Sequence, residues 1–150
     1  MATGLLLDCD ETVAKWQANL CQLPVCKYDR ALGLLDNKGV IIGAVIFQNW
    51  NGCNVEMGYH GKQTLTAGIT RCLARYILLN FDPSRLTVIT SKRNRQLMRG
   101  LQRLGFRLEG TQRCYYGKRD CNRNTGVRFV MFRDVLEKIA KIPQEAQKCS

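Results

Sequence analysis

The sequence contains no run of eighteen apolar residues, which excludes a membrane-spanning helix. It has one histidine, His60, and no pair of cysteines at the two-residue spacing of a zinc knuckle, so no metal site is expected. It also lacks a basic leader. The start, MATGLLLDCDETVAKW, meets Asp8, Asp10 and Glu11 at once, so a signal peptide is not expected and the protein reads as cytoplasmic. No internal repeat or low-complexity segment is visible. Acidic residues are few, twelve against twenty-three Lys and Arg.

The resulting net charge of +11 implies an anionic partner: nucleic acid, a phosphorylated cofactor or an acidic protein surface. With 45% hydrophobic and 23% charged residues over 150 positions, the composition is globular, and residues 1–150 are expected to form one domain. Eight cysteines, Cys9, Cys21, Cys26, Cys53, Cys72, Cys114, Cys121 and Cys149, read as reduced and mostly structural. Cys72, inside an apolar run, is expected to behave as a small buried hydrophobe. A cysteine nucleophile is not expected, because His60 would have to be its base.

Along the chain, Val13, Trp16 and Leu20 have helical spacing, with Thr12 as a cap. Two apolar runs flank Asp36-Asn37-Lys38-Gly39, a hairpin turn in which Asn and Gly supply positive φ. Val40–Phe47 should be a central strand, and residues 53–60 a third antiparallel strand after an Asn-Gly turn. A helix follows with Leu65, Ile69, Cys72, Leu73, Tyr76 and Ile77 on one face, ended by Asp82-Pro83-Ser84. Next come a short strand (85–90) and a helix with Leu97, Met98, Leu101 and Leu104 inward and Lys92, Arg93, Arg95, Arg99 and Arg103 outward. Gly105 suits the position after it. Two strands around residues 119–126 and a short helix complete an α+β fold with a mixed, mostly antiparallel sheet of six to seven strands and helices on both faces. Residues 1–7 are a candidate edge strand, and the polar stretch after Pro143 is expected to be mobile.

Three stretches carry a family resemblance. In SKRNRQLMRGLQRLGFRLEGTQR, Asn94, Leu97, Leu101, Gly105 and Phe106 stand at the spacing of a family motif, and Glu109-Gly110 and Arg113 continue it. VEMGY, residues 55–59, is an acidic-apolar-Gly-Tyr strand. Gln63-Thr64-Leu65-Thr66-Ala67-Gly68 matches a cofactor loop at Gln63 and Gly68, with Thr66 where that loop has its first glycine. Together these resemble the GCN5-related N-acetyltransferases, similar to small bacteriophage-encoded and ribosomal-protein-acetyltransferase-like members. The resemblance covers 36–134 and implies a host-cytoplasm or virion location if the protein is virus-encoded.

The resemblance implies acetyl-CoA as cofactor, its diphosphate held by Gln63, Leu65, Thr66, Ala67 and Gly68 at a helix N-terminus, where free N–H groups and the dipole favour an anion. Thr66 can cap that helix or offer its hydroxyl to a phosphate. Asn94 is implied to hydrogen-bond the pantetheine arm, and it can equally cap its own helix. A backbone N–H near Gly58 or Tyr59 would polarise the thioester carbonyl. Glu56 is the candidate base. Leu101 holds the place where many relatives carry a tyrosine acid, so Tyr116, with Tyr115 and Tyr59, is the candidate replacement. His60, at a strand end, reads as structural. The expected activity is direct acetyl transfer to an amine, on a protein in particular, with no metal and no covalent enzyme intermediate. The alternatives are a catalytically weak binding module that contacts a host protein or virion, and nucleic-acid binding through the Lys92–Arg103 face and residues 117–124.

Overall fold

The protein's structure, a computed structural model, describes residues 2–62 and 65–141. Gln63, Cys149 and the stretch after Pro143 lie outside the described residues. The elements are β1 (Gly4–Leu6), α1 (Asp10–Cys21), β2 (Arg30–Leu35), β3 (Ile41–Gln48), β4 (Asn54–Gly61), α2 (Ala67–Asn80), β5 (Arg85–Ser91), α3 (Arg95–Leu104), β6 (Arg107–Gln112), β7 (Gly126–Phe132) and α4 (Arg133–Ala140). The strands form one seven-stranded sheet in the order β1-β2-β3-β4-β5-β7-β6. Every neighbouring pair is antiparallel except β4 with β5. That exception follows from connectivity, because α2 carries the chain across one face and returns it in the same direction.

The alternation of β3 shows how the sheet is sandwiched. Val45 and Phe47 point into the main core with Leu73, Ala74, Tyr76 and Ile77 of α2, Leu101 of α3 and Leu136 of α4. Ala44 and Ile46 point the other way, into a smaller cluster with Val13, Ala31 and the half-buried Trp16 of α1. One face thus carries α2, α3 and α4, and the other carries α1 over β2 and β3. Cross-strand partners share a face. Tyr59 and Met57 of β4, opposite Val45 and Phe47, therefore face α2, while His60, Gly58 and Glu56, opposite Ala44, Ile46 and Gln48, face α1's side.

Several local expectations need correction. Helix α1 starts at Asp10, so Thr12 lies inside it and caps nothing; the Asp10 carboxylate instead accepts from the Ala31 N–H at 2.9 Å and pairs with Arg30. In the 36–39 turn only Gly39 has positive φ, since the Asp36 carboxylate fixes the turn by accepting from the Lys38 and Val40 N–H groups. Cys72 is exposed on the outer side of α2, and all seven described cysteines are free thiols, none fully buried. The helical period places Leu73 and Ala74 inward and turns Cys72 away. Leu20 and Leu104 are also exposed. Strand β6 stops at Gln112, so Tyr115 and Tyr116 belong to the connection to β7 rather than to a strand.

Helix α3 ends where the sequence indicates, and Gly105 is required twice. Its φ of +105° is left-handed, and a Cβ there would lie 2.6 Å from Val135 Cγ1 of α4. Gly105→Ala is expected to destabilise the protein by about 2 kcal/mol in urea unfolding, from backbone strain and overpacking together. Adding Val135→Ala should return only the steric part.

Candidate functional site

The parallel β4–β5 ladder is short. It holds for Asn54 with Arg85, Val55 with Leu86 and Glu56 with Thr87, and then ends. Strand β4 runs on to Gly61 paired with β3, and β5 runs on to Ser91 paired with β7. The two strands therefore diverge above Glu56 and Thr87, leaving a wedge between residues 57–61 and 88–91. Its closed end is fixed by side chains. The Asn54 side-chain oxygen Oδ1 accepts from Arg85 Nε at 3.2 Å and from the Thr87 hydroxyl, and Arg85 in turn grips both Glu109 oxygens at 2.6 Å.

Both helices that leave the wedge begin at its open end. Thr66 caps α2, its Oγ1 accepting from the Ile69 N–H at 3.2 Å. Asn94 caps α3, its Oδ1 accepting from the Leu97 N–H at 3.2 Å. The cap uses the oxygen of the Asn94 amide and leaves the NH₂ for something else. Ala67 and Gly68 are exposed on the first turn of α2, and a Cβ on Gly68 would meet nothing within 4 Å. A groove of about 460 Å³ lies against this turn, lined by Leu65, Ala67, Thr70, Arg71, Leu104 and Lys138. A larger groove of about 600 Å³, between β1 and α2, is lined by none of the expected site residues.

Gly58 and Tyr59 thus lie on β4 beyond the β4–β5 ladder, Leu65, Thr66, Ala67 and Gly68 at the start of α2, and Asn94 at the start of α3. Gln63 lies outside the described residues. Tyr59 contributes its backbone there, while its side chain packs with Leu34, Ile69 and Leu65 and lies along Gly61 and Gly43. Glu56 stands at the closed end on α1's side, its Oε2 accepting from Asn49 Nδ2 at 3.0 Å. Tyr115 lies against Gly126, at the strand end paired with Ser91, and Tyr116 meets it edge to face at 4.8 Å. Burial raises the Tyr116 phenol above its ordinary value. Leu101 is buried in the main core.

One pair was not visible in the sequence. Cys21, the last residue of α1, places Sγ 3.8 Å from His60 Nδ1, and Gln17 Nε2 donates to the same sulfur at 3.4 Å. The sole histidine and a cysteine thirty-nine positions away thus meet on α1's side of the sheet. The alternation of 56, 58 and 60 along β4 was the available signal; the approach of α1 was not.

Cations dominate the rim. Among the described residues, Lys92, Arg93, Arg95, Arg99 and Arg103 make no ion pair, whereas Arg113 is paired with Asp120 and Arg133 with Asp82 and Glu137. No cluster of three or more His, Cys, Asp or Glu among the described residues could hold a metal, and no described helix is long and apolar enough to cross a membrane.

No family model matches the sequence, and no curated protein does. Solved structures do. The ribosomal-protein-S5-alanine acetyltransferase of Vibrio fischeri superposes with a TM-score of 0.59 at 18% identity, over 70% of this chain and 62% of that one. The fold is that of the GCN5-related N-acetyltransferases. The spermidine/spermine N-acetyltransferase SpeG of Vibrio cholerae gives 0.60 at 14% identity over 75% and 69% of the two chains. A GCN5-related N-acetyltransferase of Brucella melitensis gives 0.59 at 18% over 79% and 56%. The chain thus spans less than two thirds of the first of these relatives.

Burial holds the His60 imidazole below its ordinary 6.5. The unfolded chain therefore takes up this proton first as pH falls. The histidine's contribution to stability is complete above about pH 6.5 and is lost as pH drops through the lowered folded value. In urea midpoints measured against pH, His60→Gln should flatten this segment of the wild-type profile.

Proposed function

We propose that the protein is an acetyl-CoA-dependent N-acetyltransferase that passes an acetyl group directly to an amine borne by a protein. The observation that carries the reading is the wedge, a standing gap in the sheet onto which two capped helix N-termini open. A diphosphate suits the first turn of α2, where Ala67 and Gly68 offer backbone N–H groups and no bulky side chain, with Arg71 and Lys138 beside the adjoining groove. The Asn94 NH₂, free of the cap, suits a pantetheine amide carbonyl.

In this reading the acyl donor enters from the α2–α3 side, and the amine arrives from α1's side. A backbone N–H of β4 beyond its last pair with β5, at Gly58 or Tyr59, polarises the thioester carbonyl. Glu56 draws the ammonium toward the closed end. Tyr116 is the weaker assignment, since a raised pKa makes its phenol a poorer acid. A thiolate can depart without one. Leu101 is the observation that favours the second reading, a catalytically weak binding module: it lies in the core at 5% exposure and can hand on no proton. The unpaired cations of α3 fit an acidic acceptor, or nucleic acid in the third reading.

The test is calorimetry with acetyl-CoA, followed by transfer assays on an alanine-terminated peptide and spermidine as probe amines. Wild type should bind in the micromolar range, and Gly68→Trp should abolish binding by filling the space at the helix start. Asn94→Asp keeps a capping oxygen and loses the NH₂. It should weaken binding tenfold or more at unchanged melting temperature, whereas Asn94→Ala also loses about 1 kcal/mol of stability with the cap. A folded wild type without affinity for acetyl-CoA would leave the binding module standing.

A further inference from the structure

We propose that His60 takes the proton of the incoming ammonium, with Cys21 as the positioning residue that fixes which ring nitrogen is basic; this rests on the acetyltransferase reading above.

The placement comes from the strand. Glu56, Gly58 and His60 share α1's side of β4, and only Gly58 and His60 lie beyond the last β4–β5 pair. The ring folds back over the glycine, so that a Cβ on Gly58 would stand 3.3 Å from His60 Nε2. Nε2 therefore borders the open stretch of strand where a thioester carbonyl would meet backbone N–H groups. Any side chain at position 58 would occupy the space an amine needs. Glu56, by contrast, sits opposite Thr87 where the strands are still joined, and its carboxylate is tied to Asn49.

The other ring nitrogen is committed. Nδ1 lies 3.8 Å from Cys21 Sγ, a sulfur that also receives the Gln17 amide, and in the proposed arrangement Nδ1–H is the donor of this contact. With its proton on Nδ1, the neutral ring presents a lone pair at Nε2. Burial supports this by keeping the imidazole unprotonated at neutral pH. Ala44 and Ile46 face it from β3, Thr87, Ile89 and Ser91 share its side on β5 with Arg128 beyond them on β7, Gln17 and Cys21 reach it from α1, and Glu56 is the acidic group on its own strand face.

The balance is simple. One ammonium proton passes to Nε2, and the freed amine attacks the thioester carbon. The C–S bond breaks as the C–N bond forms. A second nitrogen proton goes to the departing CoA thiolate, and the imidazolium returns its proton to solvent.

Because His60 is the only histidine, the full-length protein labelled with ¹⁵N-histidine gives a single ring to read. Long-range ¹H–¹⁵N correlation should show a neutral ring protonated on Nδ1 and titrating below 6.5. Cys21→Ala should shift it toward the Nε2-protonated form at unchanged folding. His60→Gln should keep wild-type acetyl-CoA affinity by calorimetry and lower kcat/KM on the probe amines about a hundredfold, without the acidic limb of the pH profile. A wild-type ring protonated on Nε2, or an unchanged rate in His60→Gln, overturns the assignment while the acetyltransferase reading stands. Loss of acetyl-CoA binding in the wild type itself overturns both.

Discussion

Everything that gives this sheet a use depends on one ladder being short. Two parallel strands joined by a crossover helix would ordinarily pair along their length, satisfying their backbone groups as they go. Here β4 and β5 pair for three residues each and then follow different partners, β4 staying with β3 and β5 with β7. The gap puts two strand edges without a ladder between them in the middle of a sheet instead of at its rim. Helices α2 and α3 start beyond the end of that short ladder, each with a capped first turn.

The caps show how local chemistry and site geometry share residues. Thr66 and Asn94 terminate their helices with a side-chain oxygen each. Thr66 replaces a glycine of the resembled loop and yet fulfils the loop's structural demand, a clean helix start with open first-turn amides. Asn94 needs only half of its amide for the cap. A serine or aspartate would cap as well, and neither carries the spare NH₂.

Much of this was legible because it is periodic. The 3.6-residue spacing of Ile69, Leu73, Tyr76 and Ile77, the turn residues at 36–39 and the Gly105 stop fix elements without reference to the rest of the chain. The motif around Asn94 then identified the fold. What failed was where long-range contacts decide. Asp10 prefers the Ala31 N–H across the sheet to a helix cap, and Cys72 falls one step outside the buried stripe. The stretch holding Tyr115 and Tyr116 was expected to continue a strand, whereas β6 ends at Gln112 and both tyrosines lie in the connection to β7. Cys21 and His60 could not be joined from sequence, since only the packing of α1 on β2 and β3 brings its last turn to β4. Gln63 lies outside the described residues, so the loop motif is represented by its second half alone.

The Asn54–Arg85–Glu109 link at the closed end gives the Glu109-Gly110 motif a mechanical meaning. It joins β4, β5 and the distal strand β6 across the crotch of the wedge, like a rivet at the pivot of a pair of shears. Splaying forces applied at the mouth by a seated ligand meet this bracket instead of running down the ladder. The angle between the diverging strands is therefore anchored by side chains at the closed end of the wedge. A loosened rivet would change how well two substrates line up without altering either contact surface.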